Sequence, residues 1–240
     1  MSEKPKRVLA VIPAYREQQN VGRVVRALKA EGFEVLVVDD RSDDMTDQAA
    51  AQAGAEVVRL PVQLGYGGAL QTGYLYAYEN GYDAVVQLDG DGQHDPACAA
   101  DVIAPVLADE ADIVMGSRFL AGRTYPVPLT RRMGQRLFGG VAALVTGKKI
   151  TDPTTGYQGL SAKVLRLYCT RLFPQDYPDA DMLITLHRLG IRVMEVPVTM
   201  YPDAGQSMHG GVIRPLYYIY KMTLAMLMAM LRKLPTKDKP

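Results

Sequence analysis

The sequence predicts an α/β fold, a mostly parallel sheet covered by helices. Three observations lead there. Short apolar runs recur through the first half of the chain, with longer segments of helical spacing between them. The runs are rich in β-branched residues and nearly continuous, as buried parallel strands are. Polar residues follow one run after another: Tyr15 and Glu17, Asp39 and Asp40, Asp89 and Asp91, Ser117 and Arg118. In open α/β sheets ligands gather at that carboxyl edge.

Val8 to Ile12 is an apolar run stopped by Pro13, hence a buried strand and its exit. Val21, Val24, Val25 and Leu28 recur at helical spacing over Asn20 to Ala30, with Asn20 as the expected N-cap. Glu34 to Val38 is the second strand, Thr46 to Ala53 an Ala/Gln helix, and Glu56 to Leu60 the third strand. Gly67 to Glu79 is helical, and Ala84 to Leu88 is a strand running into Asp89-Gly90-Asp91. Pro96 to Ala108 is a helix, and Asp112 to Met115 a strand ending in Gly116-Ser117-Arg118. The pattern then changes. A loop over Phe119 to Pro128 leads to a helix over Leu129 to Val145 carrying Arg131, Arg132 and Arg136. After the turn Asp152 to Gly156 come a strand over Tyr157 to Ser161, a helix over Lys163 to Thr170, a helix over Met182 to Leu189 and a strand over Ile191 to Val198. Tyr201 to Gly211 reads as a loop before a terminal helix. The second half is expected to complete the same sheet with an antiparallel element and to build a second wall of the cleft.

Composition narrows the class. The 240 residues are 48% hydrophobic and 22% charged, with a formal net charge of +1. That excludes global disorder and argues against a general nucleic-acid binder. Two cysteines, Cys98 and Cys169, make neither a disulfide framework nor a zinc site, and read as thiols of a cytoplasmic protein. The N-terminus lacks the long apolar run of a signal peptide, and no 18-residue apolar stretch exists. Twelve methionines stand beside no tryptophan, and several crowd the C-terminus. From Ile213, Leu216, Tyr217, Tyr220, Leu224, Leu227, Met228, Leu231 and Leu234 recur at helical spacing, flanked by Arg214, Lys221, Arg232 and Lys233. Such a helix suits an interfacial position on anionic lipid. A small membrane partner protein is the related reading, and a helix packed on its own domain, a partner-binding helix with adaptable methionines or a homo-oligomer contact are the alternatives.

Asp89-x-Asp91 is the sharpest feature. Two carboxylates around a glycine at a strand end form a tight turn of hard oxygen donors, suited to Mg²⁺ or Mn²⁺. An exposed Asp-Gly turn gives the same spacing. Asp39, with Asp40 at the strand end, is placed to accept from a ribose hydroxyl or a base N–H, although helix capping, which Ser42, Asp43 and Asp44 before Met45 could serve alone, is the alternative. Gly65-Tyr66-Gly67-Gly68 fits neither the dinucleotide nor the Walker pattern and is better explained by close helix packing. Arg118, Arg131, Arg132 and Arg136 form a basic cluster that suits a phosphate or a solvated helix face. Asp179 and Asp181 read as helix caps or as groups facing the cleft. His94, His187 and His209 lack metal-ligand spacing, and His187 is expected to pack.

Taken in order, VIPAYREQQNV, VVDDRSDD, LGYGGALQTGY, QLDGDGQH and MGSRF closely resemble family 2 glycosyltransferases of the GT-A fold. The resemblance is nearest to the dolichol-phosphate mannosyltransferase-like and polyprenyl-phosphate group. It runs on through DPTTGYQGLS, YPDADMLI and VMEVPVTMYPDAGQSMHG, and so covers nearly the whole chain. It implies a catalytic domain over 1–212, with a nucleotide-sugar half over 1–118 and an acceptor half over 119–212, followed by an interfacial helix and basic tail over 213–240. Pro13, Ala14, Tyr15, Glu17, Asp39 and Asp89 would bind the nucleotide. Asp91, Asp89 and Gln93 would hold Mg²⁺ or Mn²⁺. Arg118, Arg131 and Arg132 would face the acceptor phosphate, Asp181 would lie near the sugar, and Ser207 would help close the site. Gln63 stands where relatives usually carry Asn before the glycine segment. The implied reaction is inverting transfer from a UDP- or GDP-sugar donor to a polyprenyl phosphate at the cytoplasmic face of a membrane. A glycan or protein hydroxyl is the alternative acceptor, with a nucleotidyltransferase or a non-catalytic nucleotide-sugar scaffold as further alternatives.

Overall fold

The computed structural model describes residues 5–120, 150–174, 180–201 and 227–232, with single positions at 140, 143, 147 and 224. The elements run β1 (Val8–Ala14), α1 (Val21–Ala30), β2 (Glu34–Asp39), α2 (Thr46–Gln52), β3 (Glu56–Arg59), α3 (Gly65–Glu79) and β4 (Ala84–Gln87). They continue with α4 (Ala99–Leu107), β5 (Ile113–Ser117), β6 (Gln158–Ser161), α5 (Ala162–Tyr168), α6 (Ala180–Arg188) and β7 (Val193–Pro197). The strands form one sheet in the order β3-β2-β1-β4-β6-β5-β7. All pairs are parallel except those of β6, which runs antiparallel between β4 and β5. The expected antiparallel element is therefore β6.

Alternation along the strands divides the core in two. Ala10, Ile12, Val35, Val37, Val86 and Val114 face α1 and α4, where Val21, Val25, Leu28 and Val102 close the layer. Leu9, Val11, Leu36, Val38, Val85 and Leu160 face the other way, against Leu70 and Tyr74 of α3 and Val164 and Leu165 of α5. Successive side chains of a strand point to opposite faces, so a strand buried on both must be apolar throughout. On the second face α3 lies close to β1. A Cβ at Gly73 would stand 2.4 Å from Val11 Cγ1.

Several boundaries differ from the sequence pattern. Asn20 does not cap α1 with its side chain; its Nδ2 donates to Glu17 Oε2 at 2.9 Å instead. Helix α3 begins at Gly65, two residues before the expected start, because the Asp40 carboxylate accepts from the backbone N–H groups of Leu64 (2.6 Å) and Gly65 (2.9 Å). The acid thereby satisfies orphan donors at the helix end. His187 is exposed rather than packed. Helix α6 begins at Ala180, so Asp181 lies inside it rather than before it. The expected helix over Leu129 to Val145, with Arg131, Arg132 and Arg136, lies outside the described residues, as do Ser207, the side chain of Asp181 and most of the terminal helix. Of that helix, positions 224 and 227–231 are helical, with Leu224, Leu227, Met228 and Leu231 exposed and Ala229 buried. Among the described residues no helix is long and apolar enough to cross a membrane.

Candidate active site

The chain moves outward from β1 to β2 and β3, then returns to place β4 on the other side of β1. Strand order reverses at that point, and in open α/β sheets it is there, beyond the carboxyl ends of the strands, that ligands bind. Glu17 follows β1, Asp39 ends β2, and Asp89 and Asp91 follow β4.

The loops after β1 and β2 are tied to one another. Arg16 and Arg41 both adopt left-handed backbone, at φ 59° and 57°, a conformation uncommon outside glycine and frequent where a loop is aimed for function. The Arg16 N–H donates to Ser42 Oγ at 2.9 Å, and the Ser42 hydroxyl donates onward to Asp39 Oδ1. The Ser42 N–H donates to the same oxygen at 3.1 Å. Asp39 Oδ2, by contrast, is buried without a hydrogen bond; the half-exposed Arg59 Nε stands 3.4 Å away. A buried carboxylate oxygen left without a hydrogen bond is costly, and this one belongs to the last residue of β2, at the carboxyl edge of the sheet. Asp40, its neighbour, is committed to capping α3. Of the two acids at the end of β2, only Asp40 is thus taken up by a helix end.

The acids after β4 are held by their surroundings. Tyr66 Oη donates to Asp89 Oδ1 at 2.9 Å. The Asp89 N–H donates to His94 Nδ1 at 3.1 Å, so that nitrogen is unprotonated. Burial pushes the His94 pKa well below its ordinary value, outweighing the pull of Asp91. Asp91 accepts from the Gln93 N–H and from Gln93 Nε2, each at 2.8 Å. Gln93 therefore turns its amide nitrogen, not its oxygen, toward Asp91. Burial raises the Asp89 pKa despite the Tyr66 hydrogen bond and the charge of Arg118. Glu17 is raised by burial and then by Asp91, Asp44 and Asp89, against the pull of Asn20. Acids that repel one another in a half-buried crevice are poised for a cation.

Their chemistry fits Mg²⁺ or Mn²⁺ held mainly by a ligand. Both acids offer hard oxygens. Among the described residues no group of three or more His, Cys, Asp or Glu side chains closes into a cage. Water and phosphate oxygens would supply the remaining positions, as is usual for Mg²⁺.

Arg118 stands differently from the expectation of a residue turned to an acceptor phosphate. Its Nε donates to Asp152 Oδ2 at 2.6 Å and its Nη2 to Asp152 Oδ1 at 3.2 Å, both residues buried. A phosphate would have to share that guanidinium with Asp152. The turn bearing Asp152 is anchored in its own right. Glu195 of β7 accepts from the Thr151 and Asp152 N–H groups at 2.9 Å, and Thr151 Oγ1 lies 2.6 Å from Ser117 Oγ. The same turn brings Gly156 against Asp89. A Cβ there would lie 2.8 Å from Tyr66 Oη and 3.1 Å from Asp89 Oδ2. The site residues missed in the sequence are thus Tyr66, Gly156 and Asp152. The glycine segment and the Asp-Pro-Thr-Thr-Gly turn were visible signals, but nothing local showed that they meet Asp89 and Arg118.

Fold and edge together define the class: an α/β enzyme with helices on both sheet faces and carboxylates gathered at the strand-order reversal. The profile of Glycosyl transferase family 2 matches residues 9–168, more than half of the chain, and the chain belongs to that family. The protein is a glycosyltransferase by that membership. Among its relatives, an undecaprenyl-phosphate mannosyltransferase of Micrococcus luteus is 33% identical over 219 residues, 86% of this chain and 89% of the relative. A UDP-N-acetylglucosamine–dolichyl-phosphate N-acetylglucosaminyltransferase of Methanococcus voltae is 27% identical, covering 91% of this chain and 96% of its own. Among solved structures, a glucosyl-3-phosphoglycerate synthase of Mycobacterium tuberculosis in complex with Mn²⁺ and UDP-glucose has a TM-score of 0.73 at 21% identity. The likeness covers 97% of this chain and 81% of that one, and it supports the GT-A fold.

Proposed function

We propose that the chain transfers a sugar from a nucleotide-sugar donor to an acceptor oxygen, with inversion, in a reaction that depends on Mg²⁺ or Mn²⁺. One observation carries this reading. Asp39, whose Oδ2 is buried without a hydrogen bond, and the acid pair Asp89 and Asp91 stand at the carboxyl ends of β2 and β4, the strands on either side of β1. The first suits a donor group of the nucleoside, the second a cation on its diphosphate. In this reading Pro13, Ala14, Tyr15 and Glu17 line the nucleoside pocket. Asp91 is a direct metal ligand, Asp89 touches the metal or the ribose, and Gln93 stays beside the diphosphate. The bound cation neutralises charge on the leaving nucleoside diphosphate. The Mn²⁺ and UDP-glucose held by the solved relative support both partners.

A hydroxyl-bearing acceptor is the better supported choice. The synthase of known structure also binds phosphoglyceric acid, a hydroxyl-bearing compound, and here Arg118 is already engaged by Asp152. Asp181, in α6, then serves as the general base that takes the hydroxyl proton. The second reading, a polyprenyl phosphate, is favoured by relatives named for such acceptors that match along nearly their whole length. There the nucleophile is already an anion, and Arg118, Arg131 and Arg132 hold its phosphate. The exposed Leu224, Leu227, Met228 and Leu231 would then meet the cytoplasmic face of a membrane, or a small membrane partner, with residues 213–240 acting as the docking segment.

A panel of UDP- and GDP-sugars with Mn²⁺ or Mg²⁺, offered a short polyprenyl phosphate and a set of hydroxyl acceptors, tests both readings. Sugar-linked product in one acceptor class selects between them, and transfer should vanish with chelator and in Asp91→Ala. No product from any pair would overturn the function. Deletion from Ile213 should release the protein from anionic vesicles; unchanged binding would refute the docking segment.

A further inference from the structure

We propose that Tyr66 is a positioning residue that leaves Asp89 a single oxygen to offer the nucleotide and its cation, an inference that rests on the function proposed above. A directed hydrogen-bond chain runs from the core to this acid. Tyr74 Oη donates to Gln87 Oε1, Gln87 Nε2 donates to Tyr66 Oη at 3.3 Å, and Tyr66 Oη donates to Asp89 Oδ1 at 2.9 Å. Each link sets the next. With its oxygen taken by Tyr74, the Gln87 amide must turn its nitrogen to Tyr66. The Tyr66 hydroxyl then accepts on one side and points its proton at the carboxylate. Tyr74 and Gln87 are fully buried, so the chain starts from a rigid base.

The opposite side is closed by backbone. Gly156 packs so tightly that a Cβ would meet Tyr66 Oη at 2.8 Å and the Asp89 oxygens at 3.1 and 3.3 Å. Its backbone is not left-handed, so glycine is required here for space alone. Asp89 is thus held between a hydroxyl on α3 and a backbone segment leading into β6. Among the described residues only Oδ1 accepts a hydrogen bond, and Oδ2 remains for a ligand. A carboxylate bound in this way contributes one oxygen in a fixed direction, and groups that orient such ligands typically change metal affinity 10- to 100-fold.

The experiment titrates Mn²⁺ with UDP and with GDP into the intact protein, reading free Mn²⁺ by electron paramagnetic resonance. Donor kinetics are followed in parallel. Tyr66→Phe keeps the ring and removes the hydroxyl. It should weaken Mn²⁺–nucleotide binding roughly 10-fold and raise the half-saturating Mn²⁺ by a similar factor, while kcat at saturating Mn²⁺ stays near wild type. Gly156→Ala should give the same split, and Tyr74→Phe a smaller effect in the same direction. A Tyr66→Phe protein that binds as wild type overturns the positioning role and leaves the function standing. A wild-type protein that binds neither nucleotide with Mn²⁺ overturns both. A variant that loses kcat and melting temperature without a change in Mn²⁺ dependence assigns Tyr66 to packing and refutes the inference.

Discussion

At the scale of single residues, the arrangement turns on which carboxylate oxygens are already occupied. Asp39 keeps one oxygen on Ser42 and leaves the other buried and without a hydrogen bond. Asp39→Asn turns one of the two oxygens into a donor and removes the charge. It should cost the hydrogen bond of a charged acceptor, about 1.5–3 kcal/mol, so nucleotide affinity should fall roughly 10- to 100-fold. Calorimetric titration with UDP and GDP measures it, and an unchanged Kd removes Asp39 from the pocket. Much of this site was legible in the sequence. Asp39, Asp89 and Asp91 stand out because each follows an apolar run, and strand ends can be read from local pattern alone. Tyr66 was not legible as a partner of Asp89, since 23 positions separate them. The Arg118–Asp152 pair hid for the same reason, its two residues lying 34 positions apart.

Among the elements, α3 contributes most to the site. It starts on the Asp40 carboxylate, packs at Gly73 on Val11, and carries Tyr66 in its first turn. Asp40→Ala would leave two N–H groups of that first turn without a partner. The expected cost is about 1 kcal/mol, within the usual range for a lost N-cap. Urea unfolding reads that loss. Hydrogen exchange at Leu64 and Gly65 should accelerate beyond the global change, and equal protection in both proteins would show that the cap does not hold the helix end. The strands and most helices followed from periodicity, but the start of α3 did not. Its acid comes from the end of β2, 24 and 25 positions earlier, and no local rule joins a strand end to a later helix. The cap expected at Asn20 failed because Glu17 offered that side chain a nearer acceptor.

Over the whole molecule, Asp112 ties distant parts together. Its carboxylate accepts from Lys163 Nζ at 3.1 Å, from the Arg192 N–H at 2.8 Å and from Arg192 Nη2 at 3.1 Å, joining the entry of β5 to α5 and to β7. Burial alone would raise its pKa, but the hydrogen bonds from Arg192 and Lys163 prevail and lower it to about 2. A pKa depressed on folding contributes stability that is complete above the unfolded value near 4 and is lost as pH falls toward 2. Asp112→Asn should therefore lower the melting temperature at pH 7 and flatten its fall between about pH 4 and 2. Parallel melting curves for variant and wild type across that range would assign the acid limb elsewhere. The reversed direction of β6 has one more consequence. Because β6 runs antiparallel to β5, with Met115 opposite Gln158, the chain leaves the sheet after Ser117 and re-enters at Gln158 on the same edge. The described strand pairs use no position between 118 and 157, although within that span Arg118 and Asp152 are bound to one another and Gly156 packs on Asp89 and Tyr66. Loop closure grows only slowly more costly with length, so the strand register tolerates a change in the number of residues between the anchors Arg118 and Asp152. Related chains can then keep this strand pairing, with its one reversed strand, while differing in how many residues stand between those anchors.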